Sequence, residues 1–233
     1  MSSGRVRITV LALAALGLTC LSFGCSSPGY AKAESKVASL RELRAEIAQG
    51  NKQLDSTLAA LGEVVATGST DPRPAYDKFV GELNSLTSQR ENIRSRADAM
   101  RARSDEYFQS WQKDLQGIQS AEVRQVSEEQ RVKAKERFKK LQDLSAEARD
   151  KLDPLMANLQ DIKMLLANSL NQAGIAAAGG LVTKAKEGGA AASQSIDALL
   201  AELDSVIGAV SAKVEVPQAA APKSAPAPEA SKP

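Results

Sequence analysis

A seven-residue apolar repeat decides most of what this chain can become. Val37, Leu40, Ile47, Leu54, Leu58, Leu61 and Val65 recur at alternating steps of three and four, with Arg44 and Asn51 in the two polar places. That period keeps one stripe of a helix turned toward a neighbour and implies helices supercoiling around partners. A second seam runs through Tyr76, Phe79, Leu83, Leu86, Ile93, Ala97, Met100, Tyr107, Trp111 and Ile118, with Arg90 and Ser104 as its polar interruptions. The third follows Phe138, Leu141, Ala148, Leu152, Leu155, Leu159, Ile162 and Leu166; the fourth follows Ala185, Gly189, Ala192, Ile196, Leu199, Leu203, Val206 and Val210. Composition agrees: 43% of the 233 residues are hydrophobic but only 3% aromatic. Cores built from Leu and Ala with few aromatics and few β-branched runs exclude a sandwich or barrel.

The boundaries between passes are written in turn chemistry. Thr67-Gly68-Ser69-Thr70-Asp71-Pro72-Arg73-Pro74 ends the first pass, and its prolines fit only the first turn of the next helix. Gly117 and Ser120 mark a second break, while Ser127 and Gln130 have capping-box spacing, so the third helix starts at one serine or the other. Pro154 lies inside the third seam, where it removes the bond to the carbonyl of Asp150 and is expected to kink or split the helix. Asn171 to Ser193 carries Gly174, Gly179, Gly180, Gly188 and Gly189. Each costs a helix about 1 kcal/mol relative to alanine, so a flexible connection is expected ahead of a close helix approach through small residues. The expected architecture is all-α: an elongated antiparallel coiled-coil-like bundle of about four long helices. It spans residues 31–212 and is roughly 50–70 Å long. The Pro/Ala-rich segment 213–233 has no apolar face and is expected to be a disordered tail.

The N-terminus carries an address. Arg5 and Arg7 precede an apolar run from Ile8 to Phe23, which is shorter than the about 20 apolar residues of a spanning helix. A basic start, a short apolar stretch and small residues at its end fit an export signal over residues 1–24. The two cysteines, Cys20 and Cys25, both lie here, so the mature chain can form no internal disulfide. Leu21, Gly24, Cys25 and the following Ser26-Ser27 resemble a bacterial lipobox. That resemblance implies cleavage before Cys25, a diacylglycerol thioether on it and a short spacer over 25–30. An ordinary signal peptide with incidental cysteines is the alternative. No aspartate follows Cys25, so the outer membrane, facing the periplasm, is the expected site. Loss of Arg5 and Arg7 brings the 30 basic residues down to 28, level with the 28 acidic ones. No overall field then favours nucleic acid.

Chemistry is harder to find. The chain has no histidine, which removes the commonest general base and metal ligand. Carboxylates alternate with bases along helix faces, and the glycine-rich stretch lacks the lysine and hydroxyl order of a phosphate-binding loop. The expectation is no enzyme, no metal and no cofactor. Arg90, Arg94, Arg96, Arg101 and Arg103 on the second pass, and Lys133, Lys135, Arg137, Lys139 and Lys140 on the third, suggest anionic polymers or headgroups. Solvated faces balanced by Glu91, Asp98, Asp105, Glu136 and Asp143 are the simpler reading. Tyr107, Phe108 and Trp111 have helical spacing and are expected in the core.

Ala75-Tyr76-Asp77-Lys78, Tyr107-Phe108 with Trp111, Asp153-Pro154-Leu155-Met156, Asn168 and Leu170-Asn171 occur in that order. Over residues 70–210 this resembles the bacterial family DUF2959, a domain of unknown function. The resemblance implies an exported, coiled-coil-rich protein and carries over no catalytic residue. The expected role is a lipid-anchored envelope scaffold or adaptor, held at the membrane and binding a protein partner or cell-wall polymer. An apolar-ligand carrier with a pocket at Tyr107, Trp111 and Met164 is one alternative, and a self-associating structural protein is another.

Overall fold

The computed structural model describes residues 28–66 and 71–214, with side chains at 37–66 and 71–211. Among these residues every regular element is helical: α1 (Pro28–Ala66), α2 (Arg73–Gln116), α3 (Ala121–Asn168) and α4 (Gln172–Val214). At 1.5 Å per residue the helices are roughly 60–70 Å long, as the seams imply. Helix α1 begins at Pro28, inside the segment assigned to a spacer. The signal segment, Cys25, Thr67–Thr70 and the tail from residue 215 lie outside the described residues.

Cross-helix bonds fix the order. Arg44 on α1 forks onto Asp204 on α4 at 2.9 and 3.0 Å, and Asn51 two turns further donates to Asp197 at 3.1 Å while accepting from Ser193 at 3.0 Å. Rising numbers on α1 meet falling numbers on α4, so the two run antiparallel. Lys78–Glu63 at 2.7 Å and Arg96–Glu42 at 3.1 Å set α2 antiparallel to α1 in the same way. Asn158 donating to the Leu181 carbonyl at 3.0 Å and Lys140 paired with Glu202 at 2.5 Å do so for α3 and α4. The result is an up-down-up-down bundle with adjacent helices antiparallel. Both polar places of the first seam are therefore occupied by groups that specify the α1–α4 register.

Local chemistry accounts for the helix ends. Ser120, extended at φ −70° and ψ 121°, accepts from the Val123 N–H at 3.3 Å and starts α3. Ser127 is not a cap; its hydroxyl accepts from the Trp111 indole at 3.0 Å. Pro72 and Pro74 flank the first residue of α2, and the Asp71 carboxylate accepts from the Arg73 N–H at 3.0 Å. On α2 the inward face slides by one residue past Ser104: Phe108 and Trp111 are half-buried and Leu115 is buried, whereas Tyr107 turns outward at 42% exposed. Two successive steps of four, Met100–Ser104–Phe108, absorb the drift between 3.5 and 3.6 residues per turn.

The glycine-rich stretch corrects the expected flexible connection. Residues 172–193 are continuous helix, with Ala178, Val182, Ala185 and Ala192 buried. Tertiary packing overrides weak local propensity. A methyl on Gly189 would stand 2.3 Å from Leu58 Cδ1, so the missing side chain is what lets α4 lie against α1. Gly174 is tighter still. The Asn171 side chain caps α4 by accepting the Gly174 N–H at 2.9 Å, and a Cβ there would fall 1.8 Å from the Ser169 carbonyl oxygen. Backbone, unlike a leucine tip, cannot swing aside. Gly174→Ala is therefore expected to cost about 1–3 kcal/mol of unfolding free energy in urea titrations, the range for overpacking, despite alanine's better helix propensity.

Candidate functional site

The bundle is sealed along one half and open along the other. Near the α1–α2 and α3–α4 turns, Leu54, Leu61, Phe79, Leu83, Leu159, Ile162 and Leu166 are all fully inaccessible to solvent. Toward the α2–α3 turn the interior residues keep partial access: Leu43, Ile47, Leu141, Ile196 and Leu199 stay 6–8% exposed. The difference arises because α2 and α3 part company. They touch at the sealed half, where the Tyr76 hydroxyl donates to the Lys163 carbonyl at 3.1 Å and Arg90 meets Asp153 at 2.5 Å. They touch again near their turn, where Phe108 and Phe138 stack at 6.0 Å and Trp111 reaches Ser127. Between these clasps runs a cleft of about 380 Å³.

All four helices build it. Leu43 and Ile47 of α1 with Ile196, Leu199 and Leu203 of α4 make the floor. Ile93, Ala97 and Met100 on α2 face Leu141, Ala148 and Met156 on α3 across it. Ile93 reaches inward because its neighbour on α1 is Gly50; a Cβ at that glycine would come within 2.9 Å of Ile93 Cδ1. Charge gathers at the rim, where Arg90, Arg94, Arg101 and Arg149 outnumber Asp98 and Asp143. Arg90 is bound by Glu91 and Asp153, and Asp143 by Lys139 at 2.6 Å. Arg94, Arg101 and Arg149 make no ion pair among the described residues. A second depression of about 520 Å³, over Leu58 and Gly189 between α1 and α4, is an open surface trough.

The basic clusters divide accordingly. Arg96 binds Glu42 and Glu46, Lys139 binds Asp143 and Lys140 binds Glu202, and exposed pairs of this kind add little to stability. Only Arg90, Arg94 and Arg101 of the α2 cluster border the cleft. The aromatics expected in the core lie outside its main cluster, forming the clasp near the α2–α3 turn, with Tyr107 and Trp111 centroids 5.5 Å apart. Burial against them pushes the Tyr107 phenol above its usual value. The expected pocket of Tyr107, Trp111 and Met164 is not formed: Met164, next to the clasp of the sealed half, is 57% exposed. The cleft that does exist was hidden in the second seam, whose half-buried Ile93, Ala97 and Met100 look in sequence like any core positions. Arg90 and Ser104, the polar interruptions of that seam, bracket the open stretch and were the available signal.

Among the described residues no three His, Cys, Asp or Glu side chains gather as a metal site would require, and no helix is long and apolar enough to cross a membrane. No curated protein and no solved structure matches this chain. The profile of the family described as protein of unknown function DUF2959 matches residues 24–215, most of the chain and all four helices, and the chain belongs to that family.

Proposed function

We propose that this protein is a non-catalytic, lipid-anchored adaptor of the bacterial cell envelope that binds through the open half of its bundle. The cleft between α2 and α3 carries the reading. A bundle that seals one half could seal the other by the same packing, yet here a cleft with an apolar floor opens beside arginines that make no ion pair among the described residues. The lipobox-like residues around Cys25 support a tether at the outer membrane facing the periplasm. The missing histidine and the scattered carboxylates support a binding role over a catalytic one.

Two measurements test it in cells. The protein is expected in the outer-membrane fraction, and its Cys25→Ser variant outside it; identical fractionation of the two would remove the tether. A photo-cross-linking amino acid at Ala97, in the cleft, is expected to give adducts, while one at Gly179, which faces open space, gives few. Equal labelling from both positions, or none, would remove the cleft as the binding element. Carriage of an apolar ligand is a second reading of the same site, favoured by the cleft's apolar floor.

A further inference from the structure

We propose that the α2–α3 cleft binds a long-chain fatty acid, its chain laid along the apolar floor and its carboxylate at the rim that Arg94, Arg101 and Arg149 line. This rests on the cleft being the binding element and adds what fills it. Gauge is the first argument. The cleft runs along α2 from Leu86 to Arg101, about 22 Å at 1.5 Å per residue. Spread over that length, a volume of 380 Å³ makes a narrow furrow. A docked helix is about 10–12 Å across. Parting the walls to admit one would break the contacts at Arg90–Asp153 and Phe108–Phe138. The space suits an unbranched chain.

Charge is the second argument. Guanidinium groups match carboxylates with two parallel hydrogen bonds, and among the described residues these three have no carboxylate partner. Arg94 and Arg101, seven residues and about 10 Å apart, stand on one wall and Arg149 on the other, so the rim offers a headgroup cations on both walls. Asp98 is the one unpaired carboxylate on the rim, and it is outnumbered. A cationic amphiphile of equal chain length would fill the same floor and meet the wrong sign. Specificity therefore divides cleanly between chain and head.

The test uses the full chain carrying Cys25→Ser, so that no attached lipid competes, with displacement of a fluorescent fatty-acid analogue as readout. Palmitate is expected to displace it at least tenfold better than hexadecyltrimethylammonium, both held below their aggregation concentrations. Ala97→Trp from the α2 wall and Ser145→Trp from the α3 wall fill the cleft and should each weaken palmitate binding tenfold or more; helical circular dichroism shows which variant has kept the fold. Combined Arg94→Gln, Arg101→Gln and Arg149→Gln should bring the two amphiphiles within about threefold of each other. Absence of displacement, equal displacement by both amphiphiles in the unaltered protein, or preference for phosphatidylglycerol vesicles or an acidic amphipathic peptide would overturn the proposal. If palmitate fails while the Ala97 probe still gives adducts in cells, only the fatty acid falls. If both fail, the cleft falls with it.

Discussion

Phe79→Ala is expected to lower the unfolding free energy by about 3–5 kcal/mol, the largest loss for any single truncation in the bundle. Leu199→Ala, deep in the other half, should cost about 2 kcal/mol. Both side chains belong to one apolar cluster, but their surroundings differ. Phe79 is wholly inaccessible and lies in the half where Leu54, Leu83, Leu159 and Ile162 are inaccessible too. Removing its ring leaves a dry void that cannot collapse, so the lost transfer energy and the cavity both count. Leu199 keeps 7% of its surface and borders the cleft, so the space left by truncation joins a volume that already exists. Urea titrations of both variants measure the difference. Amide exchange should rank the halves the same way, slowest around Phe79 and faster along Ile93–Met100. Equal losses at the two sites would mean that the open half is packed as firmly as the sealed one.

How much of this was legible depends on whether the deciding contact is local. The break at Gly117–Ser120 was readable because a cap is a bond between residues three apart, and the seams were readable because helical period is a property of one segment. Ser127 misled for the opposite reason: its hydroxyl is held by Trp111, on the preceding helix, and capping-box spacing cannot show that. The glycines of α4 misled because propensity is counted within the helix, whereas Gly189 is decided by Leu58 on α1. Asn171 stands in sequence at the edge of a stretch of poor helix formers and within the Leu170-Asn171 motif, and neither shows that its side chain starts α4. The cleft was the least legible feature. Whether Ile93, Ala97 and Met100 are covered depends on how far α3 stands from α2, and apolar period carries no measure of that distance.

Pro154 supplies the second large effect and a reason why the helices part. It sits inside α3, which neither breaks nor ends there, so the expected splitting of this helix does not occur. Its ring removes one hydrogen bond to Asp150 and crowds that carbonyl, a disfavoured arrangement by about 3 kcal/mol relative to alanine in an unperturbed helix. Its position is informative. Asp153, one residue earlier, forms the clasp with Arg90, and the next residues on the inner face, Leu155 and Leu159, enter the sealed half. On the other side, Ala148 and Leu141 line the cleft, whose end reaches past the proline as far as Met156. The junction between sealed and open halves thus coincides with the residue best able to bend α3 away from α2. Pro154→Ala should restore the missing bond and raise the unfolding free energy by up to about 3 kcal/mol. By removing the proline's tendency to bend α3 it should also narrow the cleft and weaken uptake of an apolar probe. Greater stability with unchanged uptake would show that the opening is set by the rim and not by the proline. A fall in stability would show that the bend is required by the packing on both sides of it, and that the lost hydrogen bond is the smaller of the two effects.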